Sequence, residues 1–401
     1  MLTATKDRVL PTTVTGSWPR PSWYTQNLYG RAFSDAMTDV AYREQFVDAV
    51  TAVLGDQERA GLDILTNGDY HLDADHAGRS WFSYPTERFS GMSQPALETT
   101  NPMWSYPVGT WLNEIVGGWK FPLVVGKVEA RLPLEFAKIW RVAQGRTDRP
   151  VKFGTISADL AAAVLNLGTD VYDDDKRDLM WDMAGIINAE LQELAVAGCK
   201  VIQIEEPAIH STAAYTQDPD TLNFLVDLFN RQVEGLDEVE IWIHTCWGNP
   251  GAQHCFDPEI SYENSIDIYL NRLRGDVWTI ESKDSGHRPL ALFEPYKEQL
   301  AKKVAVGFIS HRTLQVETVE TIAADVRRAL EHIDPEHLVL SSDCGFGRQG
   351  VPRPIAHYKA AALAQAANVV RRELGFPEVP TRAAEPTLQV DVPQPAPSLV
   401  P

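Results

Sequence analysis

The sequence predicts an α/β fold, a (β/α)8 TIM barrel, with an insertion between the second and third strands and a Pro-rich C-terminal tail. Short apolar runs rich in β-branched residues alternate with longer stretches whose apolar residues recur every three or four positions. Such alternation is typical of a parallel sheet covered by helices. The strand-like runs are residues 14–17, 62–67, 151–156, 201–205, 240–246, 277–281, 304–309 and 338–342.

Eight strand-like runs favour a closed barrel over the main rival, a doubly wound open sheet. The dinucleotide-binding form of that rival would carry a G-x-G-x-x-G motif after its first strand, and none follows the first run here. The amphipathic stretches between the runs predict helices packed outside the sheet. These stretches are residues 43–60, 178–197, 220–233, 319–332 and 356–374.

Two segments depart from the alternation. Residues 82–145 are too long for a simple strand-to-helix loop and contain several Trp, Pro and Gly residues, so we interpret them as an insertion that covers the site. Residues 377–401 are rich in Pro and lack apolar periodicity, which predicts a loose tail or an arm lying on another copy in a homo-oligomer. The barrel domain is therefore predicted to span residues 1–376.

Composition excludes several classes of function. The chain has 401 residues and a formal net charge of −19, and such an acidic protein repels nucleic acid and anionic membrane surfaces. No run approaches the ~20 apolar residues that a transmembrane helix needs, and the N-terminus lacks an apolar signal core. Four cysteines are too few for a disulfide framework in a chain of this length. A cytoplasmic location, with cysteines used for metal binding or catalysis, is expected.

The strongest chemical signal lies at the end of the fifth predicted strand. His244 and Cys246 are two residues apart, so on a strand both side chains point to the same face. Barrel enzymes place their active sites at the C-terminal ends of the strands. An imidazole and a thiolate there can bind one Zn²⁺, although a His-x-Cys pair alone is equally well explained by a packed cysteine and a hydrogen-bonded histidine.

Two more candidate ligands follow other predicted strands. Glu281 ends the sixth strand, and Cys344 follows the last one. A solvated loop acid and a buried small side chain would explain each of them singly. Because strand ends converge on one mouth in a closed barrel, the four residues together supply one nitrogen, two sulfurs and one oxygen for tetrahedral Zn²⁺. A thiol that coordinates such a metal is deprotonated, which makes it a nucleophile at neutral pH, and Glu281 is the natural ligand for it to displace.

These residues resemble a known family, the cobalamin-independent methionine synthases and their single-barrel relatives, which are zinc-dependent thiol alkyltransferases on (β/α)8 barrels. The resemblance covers most of the chain. It is carried by residues 16–17, 60–63, 67–69, 202–208, 243–246, 279–281 and 342–345.

The resemblance implies roles for individual residues. It implies Zn²⁺ as the cofactor, held by His244, Cys246, Glu281 and Cys344. The family's contacts to the thiol substrate correspond to Gly16, Ser17, Asp69 and Glu205.

Within the family, residues 16–24, 147–154, 244–250 and 344–348 look closest to the epoxyalkane:coenzyme M transferase branch, whose members attack an epoxide with the thiolate of coenzyme M. The favoured expectation is therefore formation of a 2-hydroxyalkyl thioether. Methyl transfer from a methyl-folate to homocysteine is the alternative, and a metal-free lyase related to uroporphyrinogen decarboxylase is a further one. A non-catalytic zinc barrel that carries a thiol or assists assembly also remains open.

Charge does not decide between the two thiols. The ammonium of homocysteine would bind to Asp69 or Glu205, whereas the sulfonate of coenzyme M needs cations such as Arg20 or Arg348. Arg312 falls, by spacing, where the family has a histidine in the loop after the seventh strand, and an arginine there would hold an anionic group. Glu281, Arg312 and the adjacent His311 are accordingly the candidate catalytic residues.

Overall fold

The computed structural model describes residues 2–75, 78–93, 99–100, 109, 113–248, 261–347 and 350–385. Within them the chain forms an α/β fold whose strands are short and mostly buried on both faces. The strands, in chain order, are β1 (Leu65–Thr66), β2 (Thr99–Thr100), β3 (Lys120–Phe121), β4 (Leu123–Val124), β5 (Val151–Ile156), β6 (Asn166–Leu167), β7 (Val201–Glu205), β8 (Glu240–Thr245), β9 (Val277–Ile280), β10 (Lys303–Ile309) and β11 (Leu338–Ser342).

Seven of these strands form one parallel sheet in the order β1-β5-β7-β8-β9-β10-β11. Sequential neighbours pair in register, as at Glu205 opposite His244. The remaining strands form two small sheets, an antiparallel pair of β2 with β3 and a parallel pair of β4 with β6. A single parallel sheet of sequential strands curls toward a barrel, as the sequence predicts.

The first predicted strand, residues 14–17, appears as an extended segment that begins earlier, at Pro11. It contacts both edges of the sheet: Thr12 forms a parallel bridge with Leu340 of β11, and its carbonyl accepts hydrogen bonds from the amides of Asp63 and Ile64 just before β1. Regular pairing is interrupted because Thr15 donates its amide to the Ser342 hydroxyl at 2.9 Å instead of to a backbone carbonyl. The segment thereby connects the two edges of a barrel-like sheet.

Helices follow most strands and cover the outside of the sheet. The five helices that periodicity predicts are confirmed to within about three residues at each end, as expected when an apolar face directs packing. Side chains of Asp39, Asp218 and Thr318 cap three of the N-termini. The α-helices are α1 (Phe33–Ala36), α2 (Val40–Ala60), α3 (Ser80–Thr86), α4 (Phe136–Gln144), α5 (Ala158–Ala163), α6 (Arg177–Val196), α7 (Ala208–Tyr215), α8 (Pro219–Gln232), α9 (Val319–Leu330) and α10 (Arg353–Glu373).

The segment interpreted as an insertion contains helix α4 at its C-terminal end. Trp140 of α4 donates its indole N–H to the carbonyl of Val151 at 2.9 Å, so this helix packs on the sheet at the start of β5. Other parts of the insertion lie outside the described residues. The same holds for residues 386–401 of the tail, while Val379 donates its amide to Asn368 of α10 at 2.9 Å.

The interior of the sheet is layered along the strand direction. The layer at the N-terminal ends of the strands is apolar. Residues near the N-terminus of the chain cover this layer, and the amides of Thr3 and Thr5 donate to the carboxylate of Glu240. Alternate residues of a strand share one face, and on most strands the next two residues on that face are polar, as Gln203 and Glu205 are on β7. On β10 the corresponding residues are Gly307 and Ile309. The apolar layer comprises Ala4, Ile64, Val201, Trp242, Val277, Ala305 and Val339.

Candidate active site

One imidazole and two thiols meet at the C-terminal ends of strands that are distant in sequence. His244 is the fifth residue of β8, Cys246 follows that strand, and Cys344 follows β11. One ligand atom from each lies within 4.8 Å of the other two, and all three residues are buried. The structure therefore brings together three of the four metal ligands that the sequence predicts.

The chemistry of this group fits Zn²⁺. A hydrogen bond with Cys344, added to burial, raises the pKa of the Cys246 thiol well above its ordinary value. The Cys246 thiol therefore stays protonated unless a cation lies beside it. One imidazole nitrogen and two thiolates are a common part of zinc sites, and a fourth position would remain for another ligand.

His244 is oriented by a carboxylate. Its Nδ1 is hydrogen-bonded to Glu205 Oε2, and its Nε2 lies 3.4 Å from the carbonyl oxygen of Asp343, next to Cys344. Burial alone would lower the pKa of His244, but attraction to Glu205 outweighs burial and the net shift is upward. Carboxylates that hold the second nitrogen of a metal-binding histidine fix its ring and its tautomer.

Glu281, the fourth predicted ligand, belongs to a neighbouring group. One carboxylate oxygen pairs with Arg312, and the other accepts the amide of Trp247 at 3.1 Å. Burial raises the pKa of Glu281 to about 7, against the opposing effect of Arg312. Its ligand atom lies within 4.8 Å of those of Asp284, His311 and Asp343. The two groups are adjacent, because Trp247 follows Cys246 in the chain.

Asp343, which sequence reasoning did not single out, holds the loop after β9. Its carboxylate accepts the backbone amides of Ser282 and Lys283 at 2.8 Å and of Asp284 at 3.0 Å. Three amides converging on one buried carboxylate fix the loop that starts at Glu281. Its position directly before Cys344 was the available signal, since both residues directly follow β11.

The predicted contacts to the thiol substrate are divided. Ser17 and Asp69 line a cavity of about 150 Å³ together with Arg20, whereas Glu205 is bonded to His244. The loop after Cys344 approaches Ser17 closely, because a Cβ on Gly345 would lie 2.6 Å from the Ser17 amide nitrogen. Glycine at position 345 thus allows the segment that carries Cys344 to pack directly against Ser17, which lines the cavity.

Two glycines lie beside the carboxylate of Asp69. A Cβ on Gly154 would lie 3.3 Å from Asp69 Oδ1, which is tight, whereas one on Gly16 would make an ordinary contact at 3.7 Å from Oδ2. Gly16 also has a φ of 67°, a conformation that side-chain-bearing residues rarely adopt. The buried carboxylate of Asp69 is therefore placed at an opening, where it can meet a cationic group.

The predicted cationic residues are engaged with protein groups. Arg20 donates to the carbonyl oxygens of Tyr24 at 2.9 Å and Leu72 at 3.1 Å, and its guanidinium lies 3.6 Å above the Tyr24 ring. Arg312 pairs with Glu281 and, at 2.9 Å, with Asp284. Arg348 lies outside the described residues.

Comparison with known proteins identifies the family. The profile described as "Cobalamin-independent synthase, Catalytic domain" matches residues 10–368, which is most of the chain. The chain belongs to the cobalamin-independent methionine synthase family.

Two curated relatives of almost the same length align with most of this chain. A methionine synthase of Sulfurisphaera tokodaii is 28% identical over 366 residues, 91% of this chain and 94% of the relative. A methionine synthase of Saccharolobus islandicus is 30% identical over 366 residues, which are 91% of this chain and 96% of the relative.

A solved structure shares the fold of this family member. It is a B12-independent methionine synthase from Shewanella sp. W3-18-1 in complex with selenomethionine, and it superposes with a TM-score of 0.71 at 24% identity. The alignment covers 92% of this chain and 99% of that chain.

Among the described residues, no helix combines the length and apolar character needed to cross a bilayer.

Proposed function

We propose that this chain transfers a methyl group from a methyl-folate to the sulfur of homocysteine, which gives methionine. The observation that carries the proposal is the buried group of His244, Cys246 and Cys344 at the barrel mouth. Family membership supports thiol alkylation as the reaction class. The relatives named above are methionine synthases, so they favour this reading over the epoxyalkane:coenzyme M branch that the sequence analysis preferred.

His244, Cys246 and Cys344 would hold Zn²⁺, with Glu281 as the fourth ligand. Zn²⁺ bound there would keep the substrate thiol as a thiolate at neutral pH, where a free thiol with a pKa near ~8.5 is mostly protonated. Glu205 holds the ring of His244, while Asp343 holds the loop that carries Glu281. Arg312 would retain the carboxylate of Glu281 whenever a thiol takes its place.

The charges of the mouth support an amino-acid thiol. Arg20 and Arg312 already contact backbone carbonyls and carboxylates, respectively, so they are poorly suited to bind a sulfonate. Asp69 presents a buried carboxylate beside Ser17 in the cavity, where the ammonium of homocysteine would bind. Glu205 is engaged by His244 and by Gln203, so we assign it to ligand orientation and not to substrate binding.

In the transfer step, a sulfur lone pair forms the new S–CH₃ bond as the N–CH₃ bond of the donor breaks. The electron pair of the broken bond stays on the donor nitrogen, which then takes a proton from solvent. Asp69 and Ser17 would fix the amino-acid end so that the sulfur faces the methyl group. Such positioning is the main contribution that protein groups make to a displacement of this kind.

The test combines metal analysis with product identification. Purified protein is incubated with homocysteine or coenzyme M, each with a methyl-folate or a small epoxide, and the thioether is identified by mass spectrometry. The expected result is about one zinc per chain and methionine from homocysteine with methyl-folate. Formation of a 2-hydroxyalkyl thioether of coenzyme M would restore the other branch, and full activity without metal would overturn the zinc site.

A further inference from the structure

A row of buried side chains leads from the interior of the sheet to His244. Lys152 of β5 donates from Nζ to Oε1 of Gln203 on β7 at 2.6 Å. Gln203 donates from Nε2 to Glu205 Oε1 at 2.9 Å, and Glu205 Oε2 is bonded to Nδ1 of His244. None of the four residues is more than 7% exposed. The row therefore connects three neighbouring strands without contact with bulk water.

The hydrogen-bonding capacities of these groups give the row one direction. A charged lysine only donates, so the atom of Gln203 that faces it must be the carbonyl oxygen. The amide nitrogen of Gln203 then faces Glu205, whose carboxylate only accepts. The remaining oxygen of Glu205 therefore requires a proton on Nδ1 of His244. Nε2 lies 3.4 Å from the carbonyl oxygen of Asp343, so without a metal it can carry a second proton, and a bound metal would take the place of that proton.

We propose that Gln203 is a positioning residue which, anchored by Lys152, directs Glu205 toward Nδ1–H of His244 and so presents Nε2 to the site formed with Cys246 and Cys344. This inference rests on the proposed function, since it takes the three ligands to bind a metal. Gln203 touches neither substrate nor metal. It acts through Glu205, by excluding the neutral tautomer of His244 in which Nε2 carries the only ring proton.

The observed orientation of Gln203 is compatible with either protonation state of Lys152. Burial lowers the pKa of Lys152 to about 7, opposed by Glu205 and Asp69. A neutral amine still has two N–H groups, one for each of its two acceptors, Gln203 and the carbonyl oxygen of Val14 at 3.0 Å. The charged form, which only donates, is the one that fixes the direction of the row.

Gln232 of α8 offers a matched control. It is also fully buried and makes two hydrogen bonds, accepting the amide of Ala158 at 2.8 Å and donating to the carbonyl of Ile156 at 3.1 Å. Neither bond leads to His244. Replacing either glutamine by methionine removes two buried hydrogen bonds and nearly preserves volume. If Gln203 were only structural, both variants would lose stability and keep their affinity for zinc.

The experiment measures zinc affinity by competition with a chromogenic chelator for the wild-type chain, Gln203→Met and Gln232→Met, with thermal unfolding recorded for each. We expect Gln203→Met to bind zinc about tenfold more weakly, the lower range for residues that support metal ligands, and Gln232→Met to match the wild type. Unchanged zinc affinity in folded Gln203→Met would overturn the inference. Absence of zinc binding by the wild type would instead overturn the proposed function.

Two further measurements keep the inference testable if Gln203→Met does not fold. Lys152→Met keeps Gln203 but removes the group that sets its direction, so zinc affinity should fall again, though by a smaller factor. In zinc-free wild-type protein, ¹⁵N NMR between about pH 6 and 9 should show a proton on Nδ1 of His244, whether the ring is neutral or cationic. The signal is assigned by its loss in His244→Gln. An Nδ1 without a proton, or an unchanged affinity in Lys152→Met, would contradict the inference.

Discussion

The two sides of the barrel mouth are built differently. On the metal side, the ends of β8, β9 and β11 bring His244, Glu281 and Asp343 into contact with partners from other strands. On the substrate side, glycines leave a cavity beside Ser17 and Asp69. Buried polar groups that must keep one geometry need fixed partners, whereas a site that admits a substrate needs free volume. A variant should therefore affect either metal binding or substrate binding, according to the side of the mouth on which it lies.

The largest effect is expected on the metal side, from Cys344→Ser. Loss of a thiolate ligand should remove most of the bound zinc and lower turnover by ~10²-fold or more, since metal charge supplies several kcal/mol. Metal content by atomic spectroscopy and turnover are measured together. Cys199→Ser is the control, because Cys199 is buried but its sulfur donates to the carbonyl of Val201 at 3.3 Å, away from the site. Equal zinc content in both variants would refute the ligand assignment.

Asp69→Asn should produce the next largest effect, confined to the substrate side. Loss of a charge-assisted hydrogen bond of ~1.5–3 kcal/mol should raise KM for homocysteine about 10- to 100-fold, with zinc content unchanged. Asp73→Asn is the control, since Asp73 lines the same cavity but accepts the amide of Tyr29 at 3.0 Å. The assignment of Asp69 would be wrong if both variants had the same KM.

Arg312→Gln tests the boundary between the two groups of ligands. Without its arginine, Glu281 is free to bind the metal more often, so zinc affinity should rise about threefold to tenfold, equivalent to ~1 kcal/mol of ion pairing. Competition with a chelator measures the affinity, and Arg328→Gln, whose arginine pairs with Asp325 on the surface at 2.8 Å, serves as the control. Weaker zinc binding in Arg312→Gln would show that the arginine supports the site instead of competing with it.

The smallest effect at neutral pH is expected from His71→Phe, which changes the pH dependence of the free energy of unfolding. His71 is buried, its ring stacks on that of Phe153 with centroids 5.4 Å apart, and burial lowers its pKa to about 3. The unfolded chain, with an ordinary histidine pKa near ~6.5, binds the extra proton first. The free energy of unfolding of the wild type should therefore fall as the pH decreases from about 6.5 toward 3.

Urea unfolding at several pH values measures this dependence. His71→Phe should lose the contribution of His71 to this pH dependence. Its free energy of unfolding should therefore fall less steeply than that of the wild type below pH ~6.5. Above pH ~7 the difference between the two proteins should stay constant. Parallel curves across the acidic range would show that His71 is not held neutral by burial.

Much of the fold follows from local patterns in the sequence. The strand-like run at residues 151–156 coincides with β5, and the helical run at residues 319–332 coincides with α9 to within two residues. Alternation of side chains along a strand also places His244 and Cys246 on one face. Helix α4 was not predicted, because the Trp and Pro residues around it suggested an irregular insertion.

Local patterns were enough to predict the seven strands of the main sheet, the alternation of faces along them and the types of ligand at their ends. Which donor meets which acceptor depends on the tertiary structure: Glu205 bonds His244, Arg312 engages Glu281, and Lys152 directs Gln203. Periodicity is a local property of a chain, whereas these pairings depend on the register between strands and on side-chain reach. A difference of one residue in register would have given every one of these groups a different neighbour.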